Sequence, residues 1–200
     1  GTILWVSGLY KGPCPPVVSF AMGSLGFLTP FDYADHQAIL EEVVSGAIQV
    51  GVRTRLQALV HDDRMRLCGE FIALNEINVD RGPSPYLCNV ECFCEDRLVV
   101  LSQGDGIIVA TPTGSTAYSL AAGGSMVHPD VPALLLTPIC SHALAFRPMV
   151  FPDSATLRLK VPDDSSWPAW ASFDGKNGMA LNKGWSVTVR VSKWPVPIMA

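Results

Sequence analysis

Two hundred residues, 48% of them hydrophobic, with a mean hydropathy of +0.29, are enough for a packed core, and a charged share of only 16% argues against disorder. A net charge of −4 with no basic run excludes non-specific nucleic-acid binding. The most apolar stretch, 131–151, is interrupted by Pro132, Pro138, His142, Arg147 and Pro148, so no membrane partner is expected.

The chain opens on Gly1-Thr2 ahead of Ile3-Leu4-Trp5, without methionine or a signal-peptide pattern, and is expected to be a fragment or a processed product. Residues 17–22 read as a strand, followed by Gly23-Ser24-Leu25-Gly26-Phe27-Leu28-Thr29. Residues 31–45 read as a helix with Ile39, Leu40, Val43 and Val44 as its apolar stripe and Gly46 as its stop. Strands are expected over 53–60 and 65–74, joined by a turn at 61–64. Asn75-Glu76 follows, then a Pro/Gly break at 81–85. Residues 86–95 alternate, with Cys88, Val90, Cys92 and Cys94 on one face.

The segment 104–124 is the most informative. Gly104-Asp105-Gly106 predicts a tight turn in which glycine takes positive φ. Ile107 to Ala110 predicts a buried strand. Thr111-Pro112-Thr113-Gly114 breaks it, Ser115 is a candidate cap for a helix over 116–121, and Gly123-Gly124 stops that helix. A strand, a small-residue loop and a capped helix start suit a phosphate or a ribose. The loop has no lysine, so it is not a Walker loop, and residues 113–117 are not a Gly-x-Ser-x-Gly elbow. Further strands are expected over 155–161 and 185–191, with a turn at Asp174-Gly175-Lys176 between them.

Many short strands with frequent turns predict a β-rich sandwich, and the first residues predict the end of an α/β unit. The fold class is therefore α+β, divided at 1–50 and 51–200. None of the six cysteines forms a C-x-x-C pair, so free thiols in a reducing compartment, the cytoplasm, are expected. His128 and His142 read as core or turn histidines rather than metal ligands. A carboxylate at Glu76 can accept from two ribose hydroxyls, and the Asn75 amide can read an adenine edge; an Asx-type turn with a solvated glutamate explains the same pair. Asp105 fits a plain turn as well as a site. Thr111, Thr113, Ser115 and Thr116 offer hydroxyls either to a nucleotide or to helix capping. Tyr118 fits either the core or a phosphate.

The string Asp105-Gly106-x-x-x-Ala110-Thr111-Pro112-Thr113-Gly114-Ser115-Thr116-Ala117-Tyr118 resembles the signature of the NAD kinase family. Gly23-Ser24-Leu25-Gly26-Phe27-Leu28, the Asn75-Glu76 pair, Ser172-Phe173-Asp174-Gly175 and the closing Ser192-x-x-Pro195 resemble further family motifs in the same order. Residues 137–148 resemble the family's Thr-Pro-Ile-Cys-Pro-His-Ser-Leu-Ser-Phe-Arg-Pro, but Ser141 replaces a proline and Ala143 and Ala145 replace serines.

The resemblance implies transfer of the γ-phosphoryl group of ATP to the 2′-hydroxyl of the adenosine ribose of NAD, with Mg2+ on the phosphates. The runner-up readings are a non-enzymatic NAD(P)-binding module and a lipid kinase sharing a Gly-Gly-Asp-Gly-Thr motif. Gly1-Thr2 resembles the end of that motif, which places the family's base before Gly1 and no catalytic residue within the chain. The chain alone is then expected to be inactive. Dinucleotide contacts are implied for Phe27, Asn75, Glu76, Asp105, Thr113, Thr116, Ala117, Tyr118, Asp174 and Gly175. Phosphate-loop roles are implied for Gly1, Thr2, Thr111, Gly114 and Ser115, and no protein metal ligand is implied. Homo-oligomers are implied as well.

Overall fold

The computed structural model describes residues 1–143 and 145–199. It opens on helix α1 (Thr2–Leu9). Its residues Ile3 to Val6 are apolar all round, so no 3.6-residue stripe marks the helix in the sequence. Strands β1 (Phe20–Ala21) and β2 (Phe31–Asp32) are a parallel pair of two residues each. The strand expected over 17–22 is thus shorter, because Pro15 and Pro16 precede it and Met22 turns out to solvent. The helix expected over 31–45 begins only at α2 (His36–Ser45). Asp32 Oδ1 accepts from the Ala34 N–H at 2.9 Å and starts a 3-10 turn over Tyr33–Asp35 instead. Gly46 ends α2 at φ 74°, a conformation that glycine adopts without strain.

Strands then dominate: β3 (Val50–Arg53), β4 (Leu56–His61), β5 (Leu67–Ala73), β6 (Glu76–Asp80), β7 (Cys88–Cys94), β8 (Arg97–Gly104) and β9 (Gly106–Ala110). After a 3-10 turn over Thr113–Thr116 comes the single-turn α3 (Tyr118–Ala121). The chain finishes with β10 (Ala133–Ile139), β11 (Met149–Pro152), β12 (Leu157–Lys160), β13 (Ala169–Phe173), β14 (Lys176–Leu181), β15 (Ser186–Val191) and β16 (Val196–Met199).

Two antiparallel six-stranded sheets form the sandwich, in the orders β11-β10-β9-β6-β13-β14 and β5-β4-β15-β12-β7-β8. Alternate residues on each strand face inward. Ile77, Val79, Ile107, Val109, Leu134 and Leu136 of one sheet meet Leu56, Val60, Val90, Leu157, Leu159 and Val189 of the other. The Phe71 and Phe173 rings stack across the layer at 4.0 Å. Strands β9 and β10 are buried on both faces, because the 112–127 segment covers Ile108, Ala110, Leu135 and Ile139 on the outside. That covered outer face carries the candidate site.

The chain passes from one sheet to the other at Asp105, between β8 and β9. Neither Gly104 nor Gly106 has positive φ, contrary to the turn expected there. A Cβ on Gly104 would stand 2.8 Å from Cys140 O, and one on Gly106 would stand 2.6 Å from Val79 O. The two glycines are needed for close backbone approach, not for a left-handed turn.

The last strand returns to the first residues. β16 pairs with β3, and Val17 bridges Ile198 in parallel, with Val17 N–H donating to Pro197 O at 2.9 Å. A second cluster of Cys14, Leu74, Val196 and Ile198 packs there against Ile3, Leu4, Val17 and Leu28. Beside it lies Arg55, fully buried. Its guanidinium donates to Trp194 O at 2.6 Å, Ser7 O at 2.9 Å, Tyr10 O at 2.7 Å and Gly12 O at 2.9 Å. Among the described residues it has no carboxylate partner within ion-pair distance.

Candidate functional site

Asn75 and Glu76 stand where β5 has ended and β6 begins. Their backbone is held from two sides. On one side Asp174 accepts from the N–H groups of Leu74 (2.7 Å), Asn75 (2.8 Å) and Glu76 (3.2 Å). On the other side Thr111 Oγ1 donates to Leu74 O at 2.7 Å, and the Thr111 N–H donates to Asn75 O at 2.9 Å. Thr111 Oγ1 also accepts from the Gly114 N–H at 2.9 Å. The loop lies so close that a Cβ on Gly114 would be 2.1 Å from Asn75 O.

Ser115 does not cap a helix, contrary to expectation. Its Oγ accepts from the Val127 N–H at 2.9 Å and donates to Val127 O at 3.2 Å, which pins the returning 122–127 loop. The continuous helix expected over 116–121 is split, with a 3-10 turn ending at Thr116 and α3 starting at Tyr118. The hydrogen bonds of the first piece are made locally: Ala117 N–H donates to Gly114 O at 2.9 Å, and Thr116 Oγ1 to Thr113 O at 3.3 Å.

Two cavities flank this junction. The larger, about 860 Å³, lies between the N-terminal elements and the loop, with Gly1, Thr2, Phe27, Asn75, Thr113 and Thr116 on its walls. The smaller, about 530 Å³, is lined by Asp80, Arg81, Asp105, Tyr118, Trp170 and Ser172. The fold thus brings together Gly1, Thr2, Phe27, Asn75, Thr113 and Thr116 at one cavity, and Asp105 and Tyr118 at the other. Ala117 joins the two. Thr111, Gly114 and Ser115 are buried behind the wall and shape it. Gly175 sits on an exposed hairpin turn with φ 69°, next to Asp174 at φ 50°. His128 and His142 are exposed, and His128 stands 3.6 Å from Asp130.

Sequence reasoning missed Asp80, Arg81 and Trp170 on the wall of the smaller cavity, and noted Ser172 only within the 172–175 motif. The signal was available in the strict alternation of Glu76-Ile77-Asn78-Val79-Asp80. The apolar pair enters the core and the polar three take the outer face. Asn78 Nδ2 donates to Asp80 Oδ2. Arg81 Nε lies 2.8 Å from Asp105 Oδ1, a half-exposed pair that contributes little stability.

Glu76 is the electrostatically distinctive residue. Its Oε2 is buried and has no hydrogen-bond partner. Burial first, and the neighbouring Asp174 charge second, push its carboxyl from 4.5 up to about 7, against a smaller lowering by the Tyr118 N–H. Burial also pushes Asp174 above the usual carboxylate range, countered by its three N–H donors. The raised folded value of Glu76 fixes the sign of a pH dependence. The stability contributed by neutral Glu76 is full below pH 4.5 and is lost as pH rises through about 7. Glu76→Gln should therefore flatten the fall in Tm between pH 5 and pH 8, roughly the window set by those values. Equal slopes for the two proteins in thermal scans across that range would contradict the assignment.

Fold and junction define a class first: an α+β protein whose β-sandwich presents a glycine-tight loop between two cavities. The profile described as "ATP-NAD kinase C-terminal domain" matches residues 74–200, and that described as "ATP-NAD kinase N-terminal domain" matches residues 1–48. The chain belongs to the NAD kinase family, of the type found in plants and yeast. It is 49% identical to "Probable NAD kinase 1" of Oryza sativa subsp. japonica, over 98% of this chain and 38% of that protein. It is 43% identical to "NAD(+) kinase" of Saccharomyces cerevisiae, over 98% of this chain and 40% of that protein. The chain thus spans about two fifths of the length of these curated relatives. The crystal structure of yeast NADH kinase complexed with NADH superposes with a TM-score of 0.93 at 40% identity, covering all of this chain and 59% of that one. An NAD kinase from Archaeoglobus fulgidus in complex with ATP superposes with a TM-score of 0.84 at 26% identity, covering all of this chain and 74% of that one.

Proposed function

We propose that the complete protein containing this chain transfers the γ-phosphoryl group of ATP to the 2′-hydroxyl of the adenosine ribose of NAD, giving NADP. The observation that carries the reading is the rigidly held Asn75-Glu76 corner, whose Asn75 stands on the wall of a cavity of nucleotide size. The partly buried Glu76 carboxylate there keeps one oxygen, Oε2, without a partner, which suits a ribose hydroxyl donor. Neighbours solved with NADH and with ATP support the same substrate classes.

In this reading the Asn75 amide and Phe27 take the adenine, and Thr113, Thr116, Ala117 and Tyr118 take the adenosine side. Asp105, in the smaller cavity, takes the nicotinamide ribose. Gly1 and Thr2, at the start of α1, face the phosphates. The chemistry is positioning and charge stabilisation. ATP enters as its magnesium complex. Among the described residues no group of three or more His, Cys, Asp or Glu is placed to hold a metal, and no step is assigned to the ion. The base is the aspartate of a Gly-Gly-Asp-Gly-Thr motif that Gly1-Thr2 would complete.

The complete protein should form NADP from NAD only with ATP and Mg2+, read with an NADP-specific dehydrogenase. The 200 residues alone should bind NAD weakly and turn over little or nothing. Binding without turnover by the complete protein would favour a dinucleotide-binding module. Six free thiols fit a cytoplasmic setting, and exposed Leu98 and Leu101 on the edge strand β8 fit a homo-oligomer.

A further inference from the structure

Asp174 was implied above as a dinucleotide contact, yet both of its carboxylate oxygens are spent inside the protein. Oδ1 accepts from the Asn75 and Glu76 N–H groups, and Oδ2 accepts from that of Leu74. The Asp174 N–H in turn donates to Glu76 O at 3.0 Å. These residues lie about 100 positions apart in the chain. They meet because Asp174-Gly175 makes the two-residue turn between β13 and β14, with both residues at positive φ. This turn geometry aims the aspartate back at the end of β5 and the start of β6. Thr111 holds the carbonyls of Leu74 and Asn75 from the opposite side. The corner therefore has its N–H groups taken by one residue and two of its carbonyls by another.

We propose that Asp174 is a positioning residue that never touches the nucleotide: by gathering three successive N–H groups it fixes the direction in which Asn75 and Glu76 face the ligand. The proposal rests on the reading of that corner as the dinucleotide site. Loss of the carboxylate frees the corner to turn, so the side chains that hold the ligand lose their aim while the phosphate side of the larger cavity keeps its shape. A misplacement on the ångström scale at such a site costs on the order of 10- to 100-fold.

A double-mutant cycle in the complete protein separates this role from a direct contact. Asp174→Asn should raise the KM for NAD and its calorimetric Kd about tenfold or more, with the KM for ATP changed less than about twofold. In a Glu76→Gln background the same substitution should cost less than about threefold, because the aim it protects is already lost. Additive effects of the two substitutions would overturn the proposal, as would an equal rise in both KM values or wild-type NAD binding by Asp174→Asn. If Asp174→Asn fails to fold, Thr111→Val loosens the same corner from its carbonyl side and should show the same non-additivity with Glu76→Gln; additivity there overturns the proposal equally. Wild-type protein that binds no NAD would instead sink the reading of the site. Wild-type protein that binds NAD without making NADP would sink only the kinase reading, and the cycle measured on Kd still decides the role of Asp174.

Discussion

Alanine at Gly114 should abolish NAD binding and cost about 3 kcal/mol or more of stability, the upper part of the range for overpacking. The added Cβ would stand 2.1 Å from Asn75 O, 2.5 Å from Asn75 C and 2.7 Å from Asn75 Cα. All three are backbone atoms, so no side-chain rotation relieves the clash. Nor can the Asn75 peptide retreat, because Thr111 holds its carbonyl and Asp174 holds its N–H. The loop must move instead, and the loop carries Thr113, Thr116 and Tyr118. A matched control is Gly8, inside α1, where φ is not positive and no atom lies within 4 Å of an added Cβ. Gly8→Ala should raise stability by about 0.5–1 kcal/mol through helix propensity. Thermal unfolding and calorimetry on both variants check the pair. Gly114→Ala with unchanged NAD binding would mean that the loop yields more easily than its hydrogen bonds indicate.

Arg55→Met should destabilise the protein by about 3–5 kcal/mol. The cation is completely buried, and burial lowers its pKa, but a guanidinium keeps its proton in a protein. Four carbonyls solvate it in place of water, three of them at the end of α1 and just beyond, and one at Trp194. Helix carbonyls at that end are unsatisfied and carry the negative pole of the dipole, so a cation suits them. Methionine fills the volume and takes the guanidinium donors from all four oxygens, of which Ser7 O keeps the Tyr10 N–H at 3.3 Å. Arg55→Lys, a point charge with three donors and no planar fork, should fall between the two. Since removal of a buried cation also removes its desolvation cost, the sign is a real test. An unchanged or raised Tm for Arg55→Met would show that the cost exceeds the four bonds. The expected result includes faster amide exchange across α1, which Arg55 ties to the strand-rich part of the chain.

What the sequence shows and what it hides divide along contact range. The loop string from Asp105 to Tyr118, the Asn75-Glu76 pair and the Asp174-Gly175 turn are local patterns. Each is recognisable from residues within a few positions, and the Asp-Gly dipeptide at a two-residue hairpin is the one whose conformation is local too. The roles of Gly104, Gly106, Ser115, Arg55 and the Asp174 carboxylate depend on partners that the fold brings in. Ser115 carries the mark of a cap, but Val127 offers it a donor and an acceptor that a helix start would not. Gly104 and Gly106 carry the mark of a turn, but the atoms that require them belong to Cys140, Ile139, Val79 and Asp80. Arg55 resembles any strand arginine until Ser7, Tyr10, Gly12 and Trp194 close around it. Helix α1 escapes notice for the opposite reason, since an all-apolar run has no face to reveal.

The return of the final strand to Val17 has a consequence for how the molecule is made. On the ribosome, Val17 emerges long before Pro197, Ile198 and Met199, its partners in the final strand. At translation speeds of about 5–20 residues per second, the first segment waits on the order of ten seconds or longer before those partners exist. Until then Ile3, Leu4, Val17 and Leu28 have no Val196 or Ile198 to pack against, and the Arg55 guanidinium lacks the Trp194 carbonyl. The Val17 wall of the larger cavity therefore gains its support from β16 only after residues 196–199 have been made. During synthesis the waiting segment is exposed apolar surface of the kind a chaperone binds.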